Sequence, residues 1–272
     1  MADKTKVEWA DATWSPMTGC TPISEGCEHC YAERMARRFN HVEHHDGYEV
    51  VNDAYFAPTF HPNRLDIPLH WRKPRRVFVC SMSDLFHEAF TDEQRLRVFA
   101  RMDAAGWHTF MVLTKRPGRM HRFMLDHADR WTTKSGVMLP NVWLGVTAEN
   151  QQRADERIPI LLDTPAAVRF VSVEPMLGPI SGWASLAAPD MWAWRSLDWV
   201  ILGGETGPGA RPMQPEWALD VYRQCRAARV PFFFKQAGTA ATLAGSGVWF
   251  EDGGIRDLNA MSETREFPAV AS

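Results

Sequence analysis

Three cysteines fall within eleven residues of one another: Cys20, Cys27 and Cys30, in the string Gly19-Cys20-Thr21-Pro22-Ile23-Ser24-Glu25-Gly26-Cys27-Glu28-His29-Cys30-Tyr31-Ala32. The spacing is C-x6-C-x2-C. Two thiolates at C-x2-C can grip one metal or one cluster edge, and a loop with Pro22 and Gly26 can bring the third round. Three cysteines leave a four-site centre one ligand short. For zinc, a histidine (His29, His41, His44 or His45) or water fills the fourth position. For a [4Fe–4S] cluster, one iron stays open to an external ligand. In radical chemistry that ligand is S-adenosylmethionine (SAM), whose amino and carboxylate groups chelate the open iron. A structural zinc knuckle is the plainer alternative. The other two cysteines, Cys80 in an apolar run and Cys225 in a helical pattern, read as small core residues.

Elements that would position such a loop alternate along the chain. Nearly continuous apolar runs read as strands buried on both faces: 77–80, 110–113, 142–146, 168–173, 199–202 and 230–234. Helical patterns lie between most of them. Glu28 to Phe39 follows the cysteines, Thr91-Asp92-Glu93 opens a second helix with a capping residue and early acids, and Pro117–His127, Asn150–Leu162 and Pro215–Arg229 supply three more. The expected class is α/β, a partial or full (β/α) TIM-like barrel, with an open doubly wound sheet as the competing layout. One barrel domain would span residues 1–236, with an irregular His-, Asp-, Asn- and Pro-rich insertion at about 41–74. Another irregular stretch covers 181–196. A small, polar extension, 237–272, carries a hairpin signal at Asp252-Gly253-Gly254.

In a barrel, chemistry gathers where strands end and helices begin. The runs end on polar groups: Ser81, Ser83 and Asp84; Thr114, Lys115 and Arg116; Thr147 and Glu149; Glu174; Gly203, Gly204 and Glu205; Lys235 and Gln236. Singly, each reads as an ordinary loop residue; as a set they look like a site. Gly203 and Gly204 would let a ligand approach the backbone, and Glu205 could hold an ammonium group such as that of a methionine moiety. Lys115 and Arg116 could balance a carboxylate or phosphate. Glu174 could exchange a proton, or simply pair with Lys235.

Composition narrows the classes. The 272 residues carry 30 Lys+Arg against 33 Asp+Glu, a formal charge of −3, with 45% hydrophobic and 23% charged residues. That excludes a disordered or broadly basic chain while leaving room for a local basic face. No apolar run approaches the roughly 18–20 residues of a membrane span, and the first residues lack the apolar core of a signal peptide. A cytoplasmic protein without membrane contact is expected, with free thiols. The sequence fixes no oligomeric state.

Seven ordered motifs carry a resemblance. They are 14–20 with 27–36, Ser81-Met82-Ser83-Asp84-Leu85-Phe86-His87, Leu113-Thr114-Lys115-Arg116-Pro117, 142–146, Ser172-Val173-Glu174-Pro175-Met176-Leu177-Gly178-Pro179, Gly203-Gly204-Glu205, and Phe232-Phe233-Phe234-Lys235-Gln236. Together, over residues 8–236, they resemble the phage Gp37/Gp68 family, which is itself similar to radical-SAM proteins. That resemblance implies a partial (β/α)6 barrel with a [4Fe–4S] cluster on Cys20, Cys27 and Cys30. It implies SAM on the fourth iron, an electron donor such as flavodoxin or ferredoxin, and a 5′-deoxyadenosyl radical that abstracts hydrogen from substrate. The radical-SAM spacing is usually C-x3-C-x2-C, and a Gly-Gly-Glu element usually follows the second strand; here the first gap is x6 and Gly203-Gly204-Glu205 comes late. On this reading Glu174 and Lys115 are the catalytic candidates. Ser81, Ser83, Asp84, Thr114, Arg116, Gly203, Gly204, Glu205 and Lys235 are the cofactor-binding ones.

Aromatic and basic residues are also interleaved: Trp9, Trp14, Tyr31, Tyr48, Tyr55, Phe56 and Trp71, with Arg34, Arg37, Arg38, Arg72, Lys73, Arg75 and Arg76. Arg34, Arg37 and Arg38 share one helical side. Such a pattern could hold a nucleic-acid strand by phosphate contact and base stacking, or be a solvated helix face with hydrophobic anchors. It is the resemblance to a phage family that implies modification or repair of a nucleotide or nucleic acid as the reaction. The alternative is a non-catalytic zinc-binding module for nucleic acid or protein. A third reading is a barrel hydrolase using Glu174 and Asp84.

Overall fold

The computed structural model describes residues 5–40, 42–45, 48–51, 54–131, 139–182, 197–240, 261 and 263–269. The chain divides into two compact units, residues 1–143 and 144–272.

In the first unit, β1 (Ala12–Trp14) and β2 (Met17–Thr18) lead through the cysteine loop to α1 (Tyr31–Asn40). Then come β3 (Val42–His45), β4 (Tyr48–Val51), β5 (Thr59–Phe60), β6 (Arg76–Val79), α2 (Asp92–Ala104), β7 (Thr109–Thr114), α3 (Pro117–Asp126) and the short α4 (Ala128–Trp131). β1, β6 and β7 are parallel, with Ala12 opposite Val77 and Val77 opposite Phe110. Trp14 and Phe110 pack 5.8 Å apart, Phe99 and Phe123 5.1 Å apart, and all four are buried. Thr91 caps α2 through a reciprocal box with Gln94, as its sequence signature indicates. α3 begins with Pro117, whose missing N–H costs nothing in a first turn.

β8 (Val142–Thr147) crosses from one unit into the other, and all six of its residues are buried. The second unit continues with α5 (Gln151–Asp163), β9 (Val168–Val173), β10 (Trp199–Gly203), α6 (Pro215–Ala228) and β11 (Phe232–Gln236). β10 lies parallel between β9 and β11. A methyl at Gly145 would sit 2.6 Å from the Phe170 ring, so the bare backbone makes room for that side chain. Beyond β11, Phe234 N–H donates to the Thr264 carbonyl and Glu266 N–H to the Phe232 carbonyl, both at 3.0 Å. This carboxyl-terminal segment covers the sheet edge, which blunts strand-to-strand aggregation.

The hydrogen-bonded strand order is β1-β6-β7-β8-β9-β10-β11, chain order throughout. The order lacks the reversal of a doubly wound sheet and is consistent with a partial barrel; among the described residues β1 and β11 are the terminal strands of that order. All six apolar runs are strands. The three-residue β1 gave no such run. The insertion expected to be irregular contains β5 and the antiparallel pair β3–β4, Val42 opposite Val51. The hairpin signal at 252–254 and most of the 181–196 stretch lie outside the described residues. Among those residues, no helix is long and apolar enough to cross a membrane.

Candidate functional site

The cysteine loop is docked on the carboxyl ends of β6 and β7. Gly19 adopts φ +81°, and a Cβ there would lie 2.2 Å from the Ala57 carbonyl oxygen, so the position excludes any side chain. Its N–H donates to the Met82 carbonyl (2.9 Å), and Ser83 Oγ donates to the Gly19 carbonyl (2.6 Å). Ser81 and Ser15 hydroxyls meet at 3.4 Å. At the end of β6 the buried Cys80 takes φ +56°, a conformation costly for a residue with a side chain, and swings the chain out toward Asp84.

Asp84 is buried and saturated. Its carboxylate accepts from Phe86 N–H (2.9 Å), Thr114 Oγ1 (2.7 Å), Lys115 N–H (3.1 Å) and Arg116 Nη1 (3.2 Å). Arg116 is equally occupied. Nε donates to both Glu88 oxygens (2.9 and 3.0 Å), and Nη2 to the Thr21 carbonyl and hydroxyl (3.1 and 3.2 Å). Nη1 also reaches the Cys20 sulfur at 3.6 Å. His87 Nδ1 accepts from Ala89 N–H (3.1 Å), which places its proton on Nε2, facing Thr21 Oγ1 at 2.9 Å. Buried Arg95 clamps the same turn through the Leu85 and His87 carbonyls (3.1 and 2.7 Å). Sequence reasoning missed Thr21, His87, Glu88 and Arg95. His87 closes a motif that was read and Glu88 directly follows it, whereas nothing in the sequence marks Arg95, inside a helical pattern, as buried.

The thiols differ from one another. Burial, aided by the Asp84 carboxylate, pushes the Cys20 thiol up to about 11 against the opposing pull of Arg116. Cys27 is lowered: burial alone would raise it, but the Lys115 ammonium at 3.6 Å and the backbone N–H groups of Ile23 and Ser24 outweigh that. Lys115 Nζ also donates to Ser24 Oγ (3.4 Å).

In the second unit, the strand-end groups are again paired. Glu174 forms an ion pair with Lys235, and a Cβ at Gly203 would make ordinary 3.5 Å contacts with both side chains. A Cβ at Gly204 would lie 2.2 Å from the Ala237 carbonyl oxygen, so this glycine serves chain packing rather than ligand approach. Buried Glu205, expected to await an ammonium, is held by Arg211 through its N–H (2.8 Å), Nε (3.0 Å) and Nη2 (2.6 Å). Glu149, wholly buried, pairs with Arg157 at 3.0 Å, and Arg157 also caps the Thr147 carbonyl at 2.8 Å. Arg157 and Arg211 were both missed, although each follows its carboxylate within a turn or two.

A family model described as a protein of unknown function (DUF5131) matches residues 4–264. The chain belongs to the DUF5131 family. Comparison with curated proteins and with solved structures gives no match. What the comparison shows of the resemblance is DUF5131 membership; the further likeness of this DUF5131 chain to radical-SAM proteins finds no support. Among the described residues, no three His, Cys, Asp or Glu side chains converge as a metal would require, and Cys20, Cys27 and Cys30 are all described. Cys20 faces a guanidinium and Cys27 an ammonium, so the thiols meet cations where a cluster or zinc needs further anionic or neutral donors. The residues do not fit a [4Fe–4S] cluster or a zinc ion. With that centre go the expected SAM ligand, the flavodoxin or ferredoxin donor, and the radical enzyme built on them.

The aromatic and basic residues also sort themselves. Trp9 and Trp14 are core, Tyr55 bonds Glu33 (3.3 Å), and Arg76 is forked onto Asp11 (3.1 and 3.3 Å). On α1, Tyr31, Arg37, Arg38 and Phe39 remain exposed, with Arg38 over the Phe39 ring at 5.5 Å.

Proposed function

We propose that this DUF5131 protein is a non-catalytic nucleic-acid-binding module that grips a single strand along α1. The observation that carries the reading is the outer surface of that helix. Tyr31 and Phe39 are 61% and 65% exposed, beside Arg37 and Arg38. Leaving two large aromatics in water is unfavourable unless a partner covers them, and the neighbouring guanidiniums favour an anionic one. Bases stack on aromatic faces without regard to sequence, while arginines take the phosphates. Tyr31 and Arg38 lie seven residues apart, two turns along one face, so base and phosphate contacts would follow one line.

The paired carboxylates support binding over acid–base work. Asp84, Glu149, Glu174 and Glu205 each hold an arginine or lysine of the same unit, and they fix loops by doing so. The chain's formal charge of −3 suits a local basic face on an otherwise acidic surface.

Fluorescence anisotropy of a labelled (dT)16 at low salt tests the reading. Tyr31→Ala and Arg38→Ala should each weaken binding by about fivefold or more, the scale of one lost stacking contact. Absence of binding by the wild-type protein, or wild-type affinity in both variants, contradicts it.

A further inference from the structure

At the other end of the same strands, a second aromatic surface is left in water. Trp107 precedes β7 and is 45% exposed. Its indole N–H donates to the Trp71 carbonyl at 3.0 Å, which fixes the ring rather than letting it fold inward. Trp71 precedes β6 and carries the Arg75 guanidinium over its ring at 4.9 Å. Between the two indoles lies the buried imidazole of His108, 5.3 Å from Trp107 and 5.7 Å from Trp71 by ring centroid. His108 is itself pinned. One ring nitrogen accepts from Arg75 N–H (3.2 Å) and the other donates to the Pro68 carbonyl (3.0 Å). The platform is thus preorganised, and a ligand that stacks on it would order little.

Charge selects the ligand. Arg76 is neutralised by Asp11 and Arg101 by Asp66. Arg72 and Lys73, next to Trp71, are exposed and pair with no carboxylate among the described residues. An indole step flanked by unopposed cations fits a nucleobase with its phosphates better than it fits an apolar peptide.

We propose that Trp107 and Trp71, with Arg72 and Lys73, form a second binding site for single-stranded nucleic acid, distinct from α1. The proposal rests on the nucleic-acid reading above and adds where and how a longer strand is held. The cysteine loop leading into α1 docks at the carboxyl ends of β6 and β7, whereas the platform lies at their amino ends. The six residues of β7 span about 20 Å at ~3.3 Å each. A strand touching both surfaces needs more than about six nucleotides at ~3.4 Å per stacked step.

The test uses the full chain and labelled (dT)4 and (dT)16, with 5-bromouracil photo-crosslinking of the longer oligonucleotide. (dT)16 should bind at least tenfold tighter than (dT)4, and crosslinks should fall on Trp107 or Trp71 as well as on α1. Trp107→Ala and, separately, Arg72→Glu/Lys73→Glu should each weaken (dT)16 by fivefold or more. The charge variant alters exposed side chains only, so it stays informative if the tryptophan variant misfolds. Wild-type affinity in the charge variant, with no crosslink at the platform but loss of binding in Arg37→Ala/Arg38→Ala, overturns this second site and leaves α1 standing. It would assign the indoles to a protein partner. No binding by the wild-type chain overturns both.

Discussion

One nitrogen of Arg116, Nη1, stands 3.2 Å from the Asp84 carboxylate and 3.6 Å from the Cys20 sulfur. A residue read as an anion-binding group is therefore spent on holding the loop to the ends of β6 and β7. Both partners are buried, so Arg116→Ala leaves the Asp84 carboxylate with neutral donors only, whereas Asp84→Ala leaves Arg116 its Glu88 partner. Arg116→Ala should cost about 3–5 kcal/mol in urea unfolding, and Asp84→Ala less. The double variant should lose clearly less than the two single losses added. Strict additivity would show that the pair is not coupled.

The two loop thiols should separate by pH. Cys27, lowered by Lys115, should alkylate with iodoacetamide at lower pH than Cys20, which burial holds near 11. Lys115→Met should move the Cys27 profile to higher pH and leave Cys20 in place. Peptide mass spectrometry reads both sites, and overlapping profiles would remove the charge assignment.

Acid should weaken the fold before the carboxylates titrate. Burial lowers the pKa of His61, His87 and His108. For an imidazole with a depressed folded pKa, the unfolded chain binds more protons, so the stability is complete above about 6.5 and is lost as pH falls through the folded value. Urea midpoints should therefore drop between pH 7.5 and 5. His108→Asn should flatten part of that drop, because protonation of His108 sacrifices its acceptor for Arg75 N–H. An unchanged slope in the variant would assign the effect to other groups.

Gly204 separates packing from ligand approach. Gly204→Ala should destabilise by about 1–3 kcal/mol, because its methyl would meet the Ala237 carbonyl oxygen. Unchanged stability would return the glycine to a ligand-facing role.

Most of the scaffold was legible because strands buried on both faces write themselves as continuous apolar runs. β8 and β10 are the clearest cases. β1 was not, since Ala12-Thr13-Trp14 is too short to carry a period. The strand-end polar groups lie at or just past the ends of β6 to β11, but sequence could not reveal what each one faces. Glu205 becomes a partner of Arg211 only once the loop folds back, and Cys20 and Cys27 become neighbours of cations only once β7 delivers Lys115 and Arg116. Spacing reports that three thiols are close along the chain; the groups that Cys27 and Cys20 face lie 88 and 96 residues away. Trp9 and Trp14 were offered as stacking residues for the same reason, since an exposed and a buried indole look alike in a sequence.

The most direct measurement is the salt dependence of (dT)16 binding by the wild-type chain and by Arg37→Ala/Arg38→Ala. If α1 takes phosphates, log affinity falls linearly with log salt, and the double variant lowers the slope by about 1.4, the share of two single-strand phosphate contacts. Identical slopes for the two proteins would contradict the account.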